Sequence, residues 1–249
     1  MIVSLITVVF NNAKNLSETI ESVLEQDYLK NIEYIVIDGG STDGTLDIIK
    51  EYQKMISVFV SEPDDGIYDG LNKGVSYATG DIVGFIHSGD LFAHKGVVTQ
   101  IAKTFNNENS DVVYGDIDYV KKNDVTSVVR HWRSGCFSAK KLSYGWMPPH
   151  LTLYIRKELY EQFGVFDTSY EISADYDYML RLLSEQGLIV LYIPEVLVKM
   201  RVGGVSNKNL SNILKKSLED YRALKSNHVG SIIALIWKNL SKISQFFVR

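Results

Sequence analysis

The chain has 249 residues, 45% of them hydrophobic and 22% charged, an ordinary globular mixture with material for one large α/β domain or for a domain with an appended segment. Its 26 Lys and Arg stand against 30 Asp and Glu, and the formal net charge of -4 excludes wholesale wrapping of nucleic acid. A single cysteine, Cys136, excludes an intrachain disulfide and fits a reducing compartment.

Residues 2–9 are a β-rich run that stops at Asn11 and Asn12. With no basic leader and no small-residue cleavage site, the run reads as a first strand. Asn15 and Glu18 resemble a capping box that opens a helix, with Leu16, Ile20, Val23 and Leu24 on its buried stripe. Residues 32–37 are a second strand that runs into D-G-G-S-T-D-G-T (38–45), where glycines free the backbone to turn and Ser41 or Asp43 caps the next helix. Residues 58–60 and 82–86 supply a third and a fourth strand. Strands alternating with helices in this way predict a mostly parallel sheet, a Rossmann-like α/β core flanked by helices.

The stretch 61–90 joins the last two of these strands. Within it Ile67, Leu71 and Val75 recur at helical spacing, which leaves Asp69, Asn72 and Lys73 on the opposite face. The apolar run 82–86 then delivers H-S-G-D (87–90) at its carboxyl end, the place where an open α/β sheet presents a ligand site.

The second half is less regular. A helix is expected over 95–105, strands over 111–114 and 125–132, a break at Pro148-Pro149, a strand over 151–155, and helices over 156–163 and 173–186. After the β-rich stretch 188–200 comes R-V-G-G-V-S (201–206), a glycine turn in which Gly203, Gly204 and Ser206 form either a closing loop or a plain connection. Two helices, over 210–226 and 229–248, complete the chain, and no run reaches the ~18 apolar residues of a membrane span. In 229–249, Ile232, Ile233, Ile236, Leu240 and Trp237 beside Lys238 and Lys242 suit an interfacial helix on an anionic membrane. They suit equally a helix packed on the domain or on a second copy in a homodimer.

Five separated blocks carry a resemblance: T-V-V-F-N (7–11), I-D-G-G-S-T-D-G-T (37–45), E-P-D-D-G-I-Y-D-G-L-N-K-G (62–74), A-T-G-D-I-V-G-F-I-H-S-G-D (78–90) and A-D-Y-D-Y-M-L-R (174–181). In order and spacing they are similar to the family 2 glycosyltransferases of the GT-A fold, bacterial surface-polysaccharide type. The resemblance covers residues 1–206, with 1–94 as the nucleotide-binding half and 95–206 as the acceptor half, and leaves 207–249 as a helical carboxyl-terminal extension. It implies an inverting transferase that moves a sugar from a nucleotide diphosphate donor, UDP by preference, to a hydroxyl of a lipid-linked glycan in O-antigen, capsule or exopolysaccharide synthesis. The expected setting is the cytoplasm, or the cytoplasmic face of the inner membrane.

Under that resemblance Thr7, Val9, Asn11 and Asp38 line the nucleotide pocket; without it, Asp38 would serve equally to cap its own turn. Asp69, Asn72 and Lys73 bind donor or form a solvated helix face, and Ser88 and Gly89 adjoin the diphosphate. Asp90 is the ligand for Mn²⁺ or Mg²⁺. His87 and Gly89 stand where the family commonly has further carboxylates, so the metal is expected to arrive with the donor. Asp175 is the general base by its place in the motif. Asp177, Arg181 and His150 support it or bind acceptor, against the alternative that Asp177 and Arg181 form an ordinary i,i+4 pair. The thinned carboxylate set also admits a catalytically silent sugar-nucleotide-binding scaffold.

Overall fold

The computed structural model of the chain describes residues 1–203 and 210–240. It opens with β1 (Val3–Val9), α1 (Ala13–Leu24), β2 (Ile32–Asp38), α2 (Thr45–Tyr52), β3 (Val58–Ser61), α3 (Ile67–Tyr77) and β4 (Ile82–Phe85). The four strands lie in the order β3-β2-β1-β4 and every neighbouring pair is parallel. β1 is central and buried at all seven positions, as a parallel strand covered on both faces must be.

Helix α1 starts earlier than the Asn15 cap implies. Asn12 is its N-cap, and Asn15 lies in the first turn with its amide donating to Asn12 Oδ1 at 2.8 Å. Asn11, at φ 48°, takes the left-handed conformation that asparagine tolerates and turns the chain into the helix at once.

Helix α3 buries Tyr68, Leu71 and Val75, while Ile67, expected on that stripe, is 44% exposed. Gly70 and Gly74 set this rotation. A Cβ on Gly70 would lie 2.7 Å from Val8 Cγ1, and one on Gly74 would lie 2.4 Å from Ile6 Cγ2, so the helix rests on β1 more closely than any side chain permits.

The second half comprises β5 (Leu91–Phe92), α4 (Val97–Glu108), β6 (Val112–Lys121), β7 (Asp124–Trp132), α5 (Ala139–Leu142), β8 (Tyr154–Arg156), α6 (Lys157–Phe163), α7 (Ala174–Leu183), β9 (Val190–Arg201), α8 (Leu210–Ser226) and α9 (Ile232–Leu240). Past β4 the sheet becomes mixed: β8 runs antiparallel to both β4 and β6, β9 is parallel to β6, and β5 and β7 add antiparallel pairs. β6 runs well beyond the expected 111–114 because Asp116 and Asp118, which break its apolar pattern, are buried with partners. Ser134 N donates to Asp116 at 2.7 Å, and His131 Nδ1 lies 2.7 Å from Asp118.

The two carboxyl-terminal helices pack on the domain. Ala223, Leu224 and Ala234 join its core, and the Glu219 carboxylate on α8 accepts the backbone N–H groups of Glu171 (3.1 Å), Ile172 (2.8 Å) and Ser173 (2.9 Å), just ahead of α7. Their outer faces are bare, with Leu214, Leu218, Ile233 and Trp237 between 56% and 71% exposed. Among the described residues no helix is long and apolar enough to cross a membrane. The expected turn at Gly204 and Ser206 and the end of the last expected helix, with Lys242, lie outside the described residues.

Candidate active site

Beneath the mixed half of the sheet lies a cavity of about 330 Å³. Its wall takes His87 from the loop after β4, Tyr119 from β6, Arg130 and Trp132 from β7, His150, and Asp175 and Tyr176 from α7; Lys216 and Asp220 of α8 and Lys238 of α9 close it.

Asp175 stands in the first turn of α7, where the helix dipole favours a negative charge. Tyr68 OH donates to its Oδ1 at 3.1 Å and to Ile172 O at 2.6 Å, which ties α3 to the start of α7. Burial raises the Asp175 pKa, and the nearby Lys238 ammonium opposes that rise. A carboxylate so held is a base of increased strength that remains oriented.

His87 and His150 face each other with ring centroids 5.7 Å apart, and His150 stacks on Phe85 at 5.1 Å. Burial lowers His87 to about 3 and His150 to about 4, so both are neutral at pH 7. His87 Nδ1, His150 Nε2 and Tyr176 OH are buried with no hydrogen-bond partner among the described residues. Polar atoms in that condition suit a ligand.

Asp90 does not line this cavity, but it and Asp175 both act electrostatically on Tyr119, which stands within reach of each. Asp90 is 6% exposed, and Arg201 N donates to its Oδ1 at 3.0 Å. Burial pushes its pKa up to about 7 against the opposing pull of Arg201. The Arg201 guanidinium is itself committed to Gly89 O, Glu18 and Lys122 O. Among the described residues no group of three His, Cys, Asp or Glu side chains is arranged to hold a metal ion. Asp90 therefore fits a divalent cation as one protein ligand of a set that a diphosphate and water would complete. A buried carboxylate with its pKa raised is one that an added cation would stabilise.

The expected donor pocket is built differently from the expectation. Thr7 is fully buried, its hydroxyl donating to Ile86 O at 2.9 Å and lying 3.1 Å from Tyr34 OH, so it offers nothing to a ligand. Asp38 is fully buried and accepts from Gly40 N (3.1 Å), Ser41 N (3.1 Å) and Ser61 Oγ (2.7 Å), which makes it the organiser of the glycine turn. Val9 is buried and its carbonyl accepts Gly39 N at 2.9 Å. Asn11 accepts Thr42 N at 2.8 Å and locks the same turn. Between these groups Phe10 stands 61% exposed at the end of β1, an aromatic face that the apolar reading of the strand concealed.

The α3 set is likewise committed. Both ends of the Asn72 amide are taken by Phe166, donating to its O and accepting from its N at 2.9 Å each, so Asn72 clamps the 164–168 loop. Lys73 pairs with Glu62 (3.0 Å) and Asp69 (3.2 Å) and donates to Pro63 O (3.1 Å), while Asp69 also accepts Asp65 N (3.2 Å). These bonds shape the acidic turn. Ser88 is held by Asn12 Nδ2 (2.9 Å), and Gly89, at φ 104°, donates to Thr19 Oγ1 (2.8 Å).

Asp177 and Arg181 turn away from the cavity. Asp177 pairs with Arg181 at 3.2 Å and accepts Asn227 Nδ2 at 2.8 Å, and Arg181 donates to Phe163 O and Val165 O. Two and six residues past Asp175, they project from a different face of α7, although they share the sequence block that grouped them with it. Of the expected acceptor-side residues, His150 alone joins Asp175 in the wall.

A sheet of this order, with its ligand groups at the strand ends, is the GT-A arrangement. The mannosyltransferase PcManGT from Pyrobaculum calidifontis, solved with GDP-Man and Mn²⁺, superposes with a TM-score of 0.70 at 20% identity over 96% of this chain and 69% of its own. S. aureus TarS 1-349 in complex with UDP-GlcNAc gives 0.70 at 18% identity over 91% and 65%. The chain spans 44% of the longer TarS chain. The family model for glycosyl transferase family 2 matches residues 4–168, and the chain belongs to that family. An uncharacterized glycosyltransferase of Mycobacterium tuberculosis is 32% identical over 180 residues, 72% of this chain and 68% of its own. A Mycobacterium bovis PGL/p-HBAD biosynthesis glycosyltransferase is 29% identical over 209 residues, 82% and 78% of the two chains.

Proposed function

We propose that this glycosyltransferase is an inverting enzyme that moves a sugar from a nucleotide diphosphate donor to a hydroxyl of a lipid-linked glycan. One observation carries the reading: Asp175, alone of the expected acidic residues, lies in the wall of the large cavity with its carboxylate held by Tyr68 and its pKa raised by burial. The acceptor hydroxyl binds against Asp175, which takes its proton as the oxygen attacks the anomeric carbon. The nucleoside diphosphate leaves from the opposite face, so a single displacement inverts that centre. Asp90, with Ser88 and Gly89, would hold the cation that neutralises the leaving diphosphate. Phe10 gives a stacking face for the base at the rim of the glycine turn.

The bare apolar faces of α8 and α9 continue from the cavity wall: Lys216 and Lys238 line it, while Leu214, Leu218, Ile236 and Trp237 nearby on the same helices face outward. This continuity favours a membrane surface as their occupant, since it would bring a lipid-borne acceptor to the cavity. The test is transfer from UDP-GlcNAc, UDP-Glc, UDP-Gal and GDP-Man to a phenoxyundecyl diphosphate-linked sugar with Mn²⁺ or Mg²⁺. A product whose new linkage has the anomeric configuration opposite to the donor's supports the reading. Retention of configuration, or no release of nucleotide from any donor, overturns it.

A further inference from the structure

The loop after β4 and the turn after Pro149 bring two imidazoles to the wall of the Asp175 cavity. Backbone and stacking fix both of them. Ile86 N donates to Ile6 O at 3.0 Å and Asp90 N donates to His87 O at 2.9 Å, so His87 opens a closed turn at the end of β4. His150 begins a short helical turn in which Thr152 N and Thr152 Oγ1 both donate to Pro149 O at 3.1 Å. Its ring stacks on Phe85 at 5.1 Å and meets Phe166 edge-on at 5.6 Å. The two histidine rings lie 5.7 Å apart, yet among the described residues neither His87 Nδ1 nor His150 Nε2 has a hydrogen-bond partner, although both atoms are buried.

A buried polar atom without a partner has given up water and received nothing in exchange, and an apolar ring at either position would avoid that loss. Packing therefore does not call for imidazoles here, whereas a ligand that supplies the missing bonds does. Burial keeps both rings neutral at pH 7, so each carries one N–H donor and one bare acceptor nitrogen. A sugar hydroxyl, which donates and accepts at a single oxygen, matches either. Of Asp90 and Asp175, it is Asp175 whose charge acts on His87, and Asp90 does not line this cavity. The pair thus stands with the proposed base and apart from the proposed cation site. Tyr119 and Trp132 add aromatic surface to the same wall, and ring surface with a few polar groups among it is what a sugar pocket needs.

We infer that His87 and His150 are specificity-determining residues, which hydrogen-bond hydroxyls of the acceptor pyranose beside the one that Asp175 deprotonates. The inference rests on the transferase reading above and deepens it: the acceptor is recognised by its terminal sugar, within the cavity of about 330 Å³ that holds the base.

The full chain, labelled with ¹⁵N in its histidine rings and saturated with UDP and Mg²⁺, is titrated with the methyl pyranosides of glucose, galactose, mannose and rhamnose, and with tetrahydropyran as a ring that lacks hydroxyls. Ring-nitrogen resonances are followed by NMR. At least one glycoside is expected to shift the nitrogens of His87 and His150 saturably while those of His94, His131 and His228 stay still, and tetrahydropyran to shift none. In His150→Phe, which keeps a ring against Phe85, the glycoside Kd should rise roughly tenfold, the size of one hydrogen bond, with the UDP Kd unchanged. If that variant does not fold, the wild-type titration decides alone. Silence of both rings toward all four glycosides, an equal response to tetrahydropyran, or an unaltered Kd in His150→Phe overturns the subsite. A full shift of both rings on exchanging UDP for UDP-GlcNAc, UDP-Glc or UDP-Gal gives the pair to the donor sugar and overturns the acceptor assignment. Nucleotide release from the same UDP-sugars is measured separately. A chain whose two rings answer a glycoside yet which turns over no sugar nucleotide keeps the subsite and loses the transferase reading, and one that transfers sugar with both rings silent loses the subsite alone.

Discussion

Lys238 of α9 and Asp220 of α8 form an ion pair at 2.9 Å with 2% of either side chain exposed, in the wall of the cavity that holds Asp175. Removing one partner of such a pair strands the other in a low-dielectric site. Lys238→Met is therefore expected to destabilise the fold by about 3 kcal/mol. The double variant Lys238→Met, Asp220→Leu should recover most of that loss, as read from urea denaturation midpoints.

The proposed base gives a separable kinetic prediction. Asp175→Asn keeps the shape and the Tyr68 contact but cannot take a proton, so kcat should fall by about 10²–10⁴ with donor affinity nearly intact. Tyr68→Phe removes the hydroxyl that holds Asp175, and roughly a tenfold loss in kcat is expected, of the size of one hydrogen bond. Donor Kd by calorimetry and kcat from initial rates check both. Wild-type kcat in Asp175→Asn would sink the assignment.

Asn72 separates a structural role from a binding one. Its amide makes both hydrogen bonds to Phe166 at 2.9 Å, so Asn72→Ala should cost about 2 kcal/mol by leaving that backbone unpaired. Donor Kd, measured well below the melting temperature, is expected to move less than threefold.

The histidine pair predicts the acid limb of stability. His87 and His150 have folded pKa values lowered to about 3 and about 4 from an ordinary value near 6.5, so between about pH 6.5 and 4 the unfolded chain binds more protons than the folded one. Stability is then fully present above about pH 6.5 and falls on acidification, by up to about 1.4 kcal/mol per pH unit for each histidine. His150→Phe, which keeps a ring against Phe85, should flatten that slope. Denaturation curves at stepped pH values measure it.

The outer face of α9 predicts membrane behaviour. Ile233 and Trp237 are 67% and 56% exposed, and replacing both by Glu should abolish flotation with vesicles containing about one-third phosphatidylglycerol while leaving the melting temperature within a few degrees. Unchanged flotation would reject the lipid surface as the occupant of this face.

The parallel half of the sheet was legible because its strands are short β-rich runs alternating with helices, β1 stopping at Asn11 and β2 at the turn that opens with Gly39, a signal contained within a few residues. Asp175 was legible because its place in the A-D-Y-D-Y-M-L-R block carries the resemblance. Asn72 was not. Helical spacing shows which face of α3 is polar, but not that a loop 94 residues away docks on it. The same holds for Asp38: its surroundings in the chain left the two roles even, the resemblance favoured the nucleotide pocket, and the three donors that converge on it could not be read from spacing. Lys238 read as a flanking charge on an interfacial helix, because only the fold of α8 against α9 brings Asp220 to it. Where a polar residue's partner is distant in the chain, composition and periodicity carry no information about its burial.

Glu219 sets a condition on any attempt to exchange parts between relatives. Its carboxylate alone collects the three N–H groups at positions 171–173, immediately before the helix that bears Asp175. A chain cut after residue 203 would keep every sequence block of the resemblance and still release the segment that leads into the Asp175 helix. Chimeras meant to swap acceptor preference should accordingly carry the last two helices along with the 95–206 half, because the two inherit their geometry from each other.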